Sequence, residues 1–402
     1  MVEWFDWSVY GFFAPYFAAA FFPQADETAR LLSAFAVFAV GFFVRPLGGA
    51  VLGSYADRHG RRAGMTLTIL LMAVASLVMA LLPTWHAIGV AAPLLLVLAR
   101  CVQGFSAGGE FGTSSAFLVE NAERGGRARA GSWQQVSVGA GTLAASALAA
   151  AMFATMTPEA LTSWGWRVAF GLGAVFGLVG LYLRRRVPET DAFSATRTSG
   201  RLQRRPLTAV LRTHPAAALR VIALVAAGTG LVQFWFVYLP TFAKLHVGVP
   251  LAISQPAAMV ALAVFTVLQP LSGALSDRYG RRPLLLFFAL GSAATFTPLV
   301  LGMRPTLMGV LVPALLSAVF LAAYAGSLAA VMAEQFPPEV RTAGISLPYG
   351  LAVAVFGGLT PTLATGLIGQ GRLWVFLLIV VGVCLASALA FFTMPETADR
   401  DV

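Results

Sequence analysis

Apolar stretches of roughly 20 residues recur from one end of the chain to the other, separated by short polar loops. Each is long enough to cross about 30 Å of hydrocarbon as a helix. Twelve such spans are expected, at 4–22, 31–56, 63–83, 93–120, 131–156, 165–184, 218–242, 252–276, 283–302, 306–333, 343–368 and 373–393. Glycine and proline interrupt many of them, which membrane helices tolerate better than soluble ones. The pattern predicts an all-α membrane protein. The first span is not a signal peptide, because its polar end carries Glu3 and Asp6 and no base. It begins almost at Met1, so a start that lacks a short basic tail and part of this helix is expected.

Composition supports the pattern. The chain is 58% hydrophobic and 11% charged, with a mean hydropathy of +0.80, whereas a soluble domain carries about 25% charged residues. Cys101 and Cys384 both fall inside apolar runs, which argues against a disulfide framework and a metal site, and no cofactor is expected. The net charge of +10 changes the picture only through its location. Arg58, Arg61 and Arg62 sit in the second loop, Arg124, Arg127 and Arg129 in the fourth, and Arg278, Arg281 and Arg282 in the eighth. Nine arginines run from Arg184 to Arg220 around the sixth. The odd loops carry only Arg30, Lys244, Arg304 and Arg372, one each. Basic loops stay on the cytoplasmic side, so both termini are expected there, in a multi-pass cell (inner) membrane protein. The charge is a topology signal, and no nucleic-acid partner is implied.

The chain repeats itself. "GSYADRHGRR" (53–62) follows the second span and "GALSDRYGRR" (273–282) the eighth. "VPET" (187–190) and "MPET" (394–397) each follow the last span of a half. Two six-helix bundles, 1–184 and 218–402, are therefore expected, joined by a basic cytoplasmic linker at 185–217. Within that linker "RLQRRPLTAVLRTH" has the composition of a short basic helix on an anionic leaflet. Each short loop admits two readings. Asp57 and Asp277 pair with an arginine or meet the N-terminus of a helix in the other half, making a gate, or the hairpins carry ordinary topogenic charge.

Charges inside the spans point to chemistry. A charge near a bilayer centre costs several kcal/mol and commonly faces a protein-lined or wet interior. In "ARCVQGFSAGGEFG" (99–112), Arg100, Gln103, Ala107, Glu110 and Ser114 occupy a wedge of about 80° on a helix. Arg100 and Glu110 are about 15 Å apart along the axis and do not pair. Counting ~1.5 Å per residue from the outer ends places Asp6, Arg45 and Glu110 in one layer, about 21–25 Å deep. Two acids and one base there suit proton handling, with structural ion pairing as the alternative. Arg100 is expected higher, about 10 Å from the outer surface, without an acidic neighbour in its span. Its planar fork suits a substrate carboxylate, and a structural or coupling role is the competing reading. Neutral candidates for substrate contact are Tyr10, Gln233, Trp235, Tyr238, Tyr324, Ser327 and Tyr349. Aromatics at such places also serve as packing. Lys244 at the outer mouth steers anions or anchors the helix. No nucleotide-binding loop, metal cluster or catalytic triad signature is visible, so an enzyme is not expected.

These residues carry a resemblance over nearly the whole chain. The paired G-x-x-x-D-R-x-G-R-R loops and "RCVQG" (100–104) resemble signatures of the major facilitator superfamily. "VEWFDWSVYGFFAPYFAAAFFP" (2–23), "RPLGG" (45–49), "QGFSAGGEFG" (103–112), "GSWQQVS" (131–137), "YLPTF" (238–242), "AEQFPPEVRTAGISL" (333–347) and "FGGLTP" (356–361) resemble its metabolite–proton symporter family. Members of that family carry proline and betaine, 2-oxoglutarate, citrate or shikimate. The resemblance implies the major facilitator fold and alternating access. It also implies gate pairs between Glu120 and Glu334 and motif arginines such as Arg61 and Arg281, alongside Arg58 and Arg278. The expected function is proton-coupled uptake of a small organic acid such as 2-oxoglutarate by a monomer, with substrate, protons and the lipid bilayer as partners. An osmolyte porter of the proline/betaine kind, an exporter, and a non-transporting membrane sensor or scaffold are the alternatives. The buried acids and bases count against a scaffold.

Overall fold

The computed structural model describes residues 2–23, 26–59, 61–108, 111–120, 122–123, 125–184, 214–336 and 341–398. Their secondary structure is helical and forms twelve rods. The N-terminal bundle holds α1 (Val2–Phe21), α2 (Glu27–His59), α3 (Arg61–Leu81), α4 (Ala91–Ala107, resuming at Phe111–Glu120), α5 (Arg127–Thr155) and α6 (Trp166–Arg184). The C-terminal bundle holds α7 (Pro215–Gln233, continued to Val247), α8 (Leu251–Tyr279), α9 (Arg281–Leu301), α10 (Leu307–Glu334), α11 (Arg341–Ala352, continued to Gly369) and α12 (Leu373–Thr393). Among the described residues, nine helices are long and apolar enough to cross a membrane, and 66–81 and 91–107 are shorter apolar helices. The fourth span was expected as one helix over 93–120. Ala91–Ala107 and Phe111–Glu120 are helical, and residues 109 and 110 between them lie outside the described residues. Glu110 and most of the linker lie outside the described residues, as does the basic segment "RLQRRPLTAVLRTH" except for His214.

Apolar side chains face both inward and outward, as a lipid-embedded bundle requires. Leu77, Val78 and Leu81 on α3 and Leu385, Leu389 and Phe392 on α12 are exposed. Inside, rings do much of the packing. Phe17 on α1 lies 6.0 Å from both Trp166 and Phe170 on α6, and such pairs contribute about 0.5–1.5 kcal/mol beyond area burial. In α7, two π-helical turns, Phe234–Tyr238 and Ala243–Val247, flank Leu239–Phe242. Pro240 sits between them, has no N–H to donate and crowds the carbonyl one turn back, so the ladder widens there.

One helix pair fixes the position of the functional residues. Gly104 of α4 lies against the Gly41 carbonyl of α2, Gly108 against Arg45, and Gly48 against Phe105. A side chain at any of them would strike backbone on the other helix. This small-residue seam lets the two backbones touch and brings the helices carrying Arg100 and Arg45 together. The bundles meet along several further pairs, among them α8 with α5 and α11 with α2. On α8 the Gln255 amide Nε2 donates to Ser146 Oγ of α5 at 2.9 Å. On α11 Gly358 backs onto Phe42 of α2.

Candidate functional site

The chemistry gathers around the inner part of α1. Asp6, Ser76, Arg100 and Gln103 are all fully buried. Arg100 Nη1 donates to Gln103 Oε1 at 2.6 Å. Gln103 Nε2 donates to Ser76 Oγ at 2.9 Å, and the Ser76 hydroxyl donates to Asp6 Oδ2 at 2.5 Å. A cation on α4 and a carboxylate on α1 are thus joined by an unbroken chain of hydrogen bonds through α3. Asp6 Oδ1 has no hydrogen-bond partner among the described residues and points at Gly173 of α6, where even a methyl group would displace it.

This arrangement corrects two expectations. Arg100 is not in a separate, higher layer: its guanidinium carbon lies 3.9 Å from the Trp7 ring centre and 4.3 Å from that of Tyr10. Rise per residue locates a Cα atom, and an arginine carries its charge at the end of a long stem. Arg45 is not grouped with Asp6. Its Nη2 is ion-paired with Glu3 Oε1 at 3.0 Å, one turn closer to the chain start. Arg45 also lies over Trp4, Trp7 and Phe42, at 5.3, 4.4 and 4.5 Å.

The other candidates take varied places. The Tyr10 hydroxyl donates to the Ala34 carbonyl at 2.8 Å, so its ring, not its hydroxyl, faces Arg100. Gln233 is buried on α7. Thr365 Oγ1 of α11 donates to the Tyr238 hydroxyl at 3.0 Å, and the Tyr238 ring meets Phe35 of the opposite bundle at 5.5 Å. Tyr324 lies over Phe288 at 5.0 Å. Tyr349 stacks on Phe111 across the bundles at 3.7 Å and 5°. Lys244 pairs with Glu27 of the other bundle at 2.7 Å.

At the turn between α8 and α9 the C-terminal repeat forms a dense network. Arg281 is buried and holds Asp277 at 2.6 Å and Glu334 through two contacts, Nη2 at 2.9 Å and Nε at 3.3 Å. The Asp277 oxygens also accept from the Ala128 and Arg129 N–H groups, both at 2.9 Å. Asp277 at the end of α8 therefore caps the N-terminus of α5 in the opposite bundle. Thr397 Oγ1 donates to Glu334 at 2.6 Å, and Glu396 accepts from the Arg281 and Arg282 N–H groups at 2.9 and 3.0 Å. Burial pushes the Glu396 carboxyl up, but its bonds from the Arg281, Arg282, Ala398 and Thr397 N–H groups outweigh that and leave it below the ordinary glutamate range. Arg278 stands apart, exposed, with its guanidinium 5.3 Å from the Tyr279 ring. The side chains of Asp57, Arg58, Arg61 and Glu120, the matching N-terminal residues, lie outside the described ones.

Sequence reasoning missed Ser76, Glu3 and Glu396. A lone serine in an apolar helix gives no periodic signal. Glu396 was visible as part of the repeated "PET", which was read only as an echo.

The chain is similar to transporters. A family model described as sugar (and other) transporter matches it twice, over residues 1–221 and 211–402. The alpha-ketoglutarate permease of Escherichia coli (strain K12) is 38% identical across 97% of this chain and 90% of its own. The citrate-proton symporter of Klebsiella pneumoniae is 38% identical across 91% and 83%. Among solved structures, the xylose transporter XylE from E. coli in a partially occluded inward-open conformation superposes with a TM-score of 0.75 at 18% identity, covering 100% of this chain and 98% of that one.

Proposed function

Because this chain belongs to the sugar (and other) transporter family and has the major facilitator fold, we propose that it is a proton-coupled symporter that imports a small organic acid across the inner membrane. The Arg100–Gln103–Ser76–Asp6 chain carries the proposal. A substrate carboxylate that takes the Arg100 fork competes with Gln103 for the same guanidinium. Losing Gln103 frees Ser76, and Asp6 then exchanges a serine partner for a proton. Each protonation state favours a different closure of the cavity, which couples proton movement to substrate movement. The names of the relatives, a citrate-proton symporter and an alpha-ketoglutarate permease, support the same substrate class.

The gates follow from the repeat. Asp277, Arg281 and Glu334 hold the cytoplasmic face closed in the C-terminal copy. Asp57, Arg58, Arg61 and Glu120 serve the same purpose in the N-terminal copy, and both termini face the cytoplasm. Glu110, two residues beyond the described end of the first part of α4, is a second candidate proton carrier.

Uptake of labelled acids into proteoliposomes, with and without an inward proton gradient, tests the function. Accumulation of a carboxylate only with the gradient is expected. Accumulation of glycine betaine alone, or no dependence on the gradient, would overturn it. Asp6→Asn should abolish accumulation while counterflow survives; if Glu110→Gln alone gives that split, the proton moves through Glu110.

A further inference from the structure

Trp4, Trp7 and Tyr10 follow one another at single turns along α1, and Phe42 and Phe38 do so on α2. Two guanidiniums are inserted in this ladder of rings. Arg45 touches Trp4, Trp7 and Phe42, whereas Arg100 touches Trp7, Tyr10 and Phe38. Trp7 is the shared rung, so the two cations lie one turn apart with the indole between them. A guanidinium stacked by its face on a ring keeps its N–H edge for an acceptor.

Those edges are largely unused. Among the described residues, Arg100 Nε and Nη2, Trp7 Nε1 and Arg45 Nε are buried and make no hydrogen bond, while Arg45 Nη2 meets only the Glu3 carboxylate, at 3.0 Å. The counter-charges near them are the Glu3 carboxylate, in direct contact with Arg45, and Asp6, which reaches Arg100 only through Gln103 and Ser76. Buried donors without acceptors are costly, and here four belong to three consecutive layers of one stack. The row runs cation, neutral donor, cation. The matching ligand has the opposite row: a carboxylate, a neutral acceptor and a second carboxylate.

We infer that the Arg100–Trp7–Arg45 stack is the binding site for a dicarboxylate that carries an oxo or hydroxyl oxygen between its two carboxylates, and that Glu3 occupies the second carboxylate position until the substrate displaces it. The inference rests on the carboxylate reading above and narrows it. Arg100 takes one end of the substrate, the indole N–H takes the middle oxygen, and Arg45 takes the far end. A monocarboxylic acid leaves Arg45 with Glu3. A zwitterion brings a cation against two guanidiniums and is repelled. Glu3, half-buried at the start of α1, is a partner that a competing carboxylate can replace.

Calorimetric binding to the purified full chain tests this, with 2-oxoglutarate, glutarate, 2-oxopentanoate and glycine betaine as probes. Glutarate lacks the middle oxygen, and 2-oxopentanoate lacks the second carboxylate. 2-Oxoglutarate should bind tightest. Arg45→Gln should weaken it about 10- to 100-fold, to the level of 2-oxopentanoate, and leave 2-oxopentanoate where it was. Trp7→Phe keeps the ring and removes the N–H. It should cost 2-oxoglutarate about 2- to 10-fold and glutarate nothing. Glu3→Gln, at a partly exposed site, should tighten both dicarboxylates and leave the monocarboxylate unchanged. A structural role for Arg45 predicts equal losses for all acids in Arg45→Gln and weaker binding in Glu3→Gln, and either result overturns the inference. Equal affinity of the wild type for all three acids overturns it too while leaving the carboxylate reading intact. Binding of betaine with no acid bound overturns both.

Discussion

Ser76 is a small residue with a large consequence, because the link between a buried cation and a buried acid passes through its hydroxyl. Ser76→Ala leaves Asp6 and Gln103 each one partner short. A hydrogen bond to a charged group contributes about 1.5–3 kcal/mol. Gradient-driven accumulation should therefore fall about 10- to 100-fold, while counterflow, which needs no net proton release, should change little. Equal loss of both in proteoliposomes would make Ser76 a packing residue only. The residues of this site were unevenly legible. Arg100 and Asp6 announced themselves, because a charge in an apolar run is conspicuous. Their connection was hidden, since the serine that makes it resembles any other small residue of a membrane helix. The partner of Arg45 was misassigned for a geometric reason. Glu3 and Asp6 lie one turn apart on the same helix, and counting residues from the outer end does not resolve a single turn when the cation sits on a long stem.

At the scale of elements, the turn between α8 and α9 is fixed by one glycine and one acid. Gly280 has φ +97°, where a side chain costs roughly 1–2 kcal/mol, and an added Cβ would meet the Glu396 carboxylate at 2.8 Å. Gly280→Ala should lower the melting temperature of the purified protein by more than the left-handed backbone alone implies. Glu396 caps α9 from beyond the end of α12. Its carboxyl is held below the ordinary glutamate range, so its contribution is complete above the unfolded value of about 4.3 and fades as the pH drops through the folded one. Glu396→Gln should accordingly melt earlier than the wild type at pH 7, and the gap should close as the pH falls below about 4.3. A constant gap across that range would mean that the carboxylate charge contributes nothing. The duplicated "GRR" and "PET" segments marked this turn in the sequence. That the second segment caps the first was not legible, because the two are separated by four helices.

The whole molecule is two bundles whose relative position depends on a few polar contacts. The bundle plan and the span pattern were legible, since period, length and duplication are properties of the chain itself. Of the contacts between bundles, only the Asp277 cap was foreshadowed by a local pattern, the repeated loop; pairs such as Gln255–Ser146 and Lys244–Glu27 were not. At the turn between α8 and α9, Asp277 spans the divide to the N-terminus of α5. A charge at a helix N-terminus contributes about 0.3–2 kcal/mol, so Asp277→Asn should shift the open-to-closed ratio about 2- to 30-fold toward opening at this end. Spin labels on α5 and α8 would register that as a longer distance distribution. An unchanged distribution would reduce the loop to a topology signal.

At the mouth opposite the α8–α9 turn, which the proposed orientation makes the outer one, Lys244 and Glu27 clasp the bundles together. Lys244 is also the sole lysine of the sequence, so the clasp doubles as a built-in chemical probe. Every side-chain amine available to an acylating reagent is the one that must let go when the outer mouth opens. Acylation of the Lys244 peptide, read by mass spectrometry against the α-amino group as an internal clock, then counts outward openings in an unmutated protein. A ligand that holds the outer mouth shut should slow that acylation selectively, and Glu27→Gln should raise it to the rate of a free amine whether or not ligand is bound.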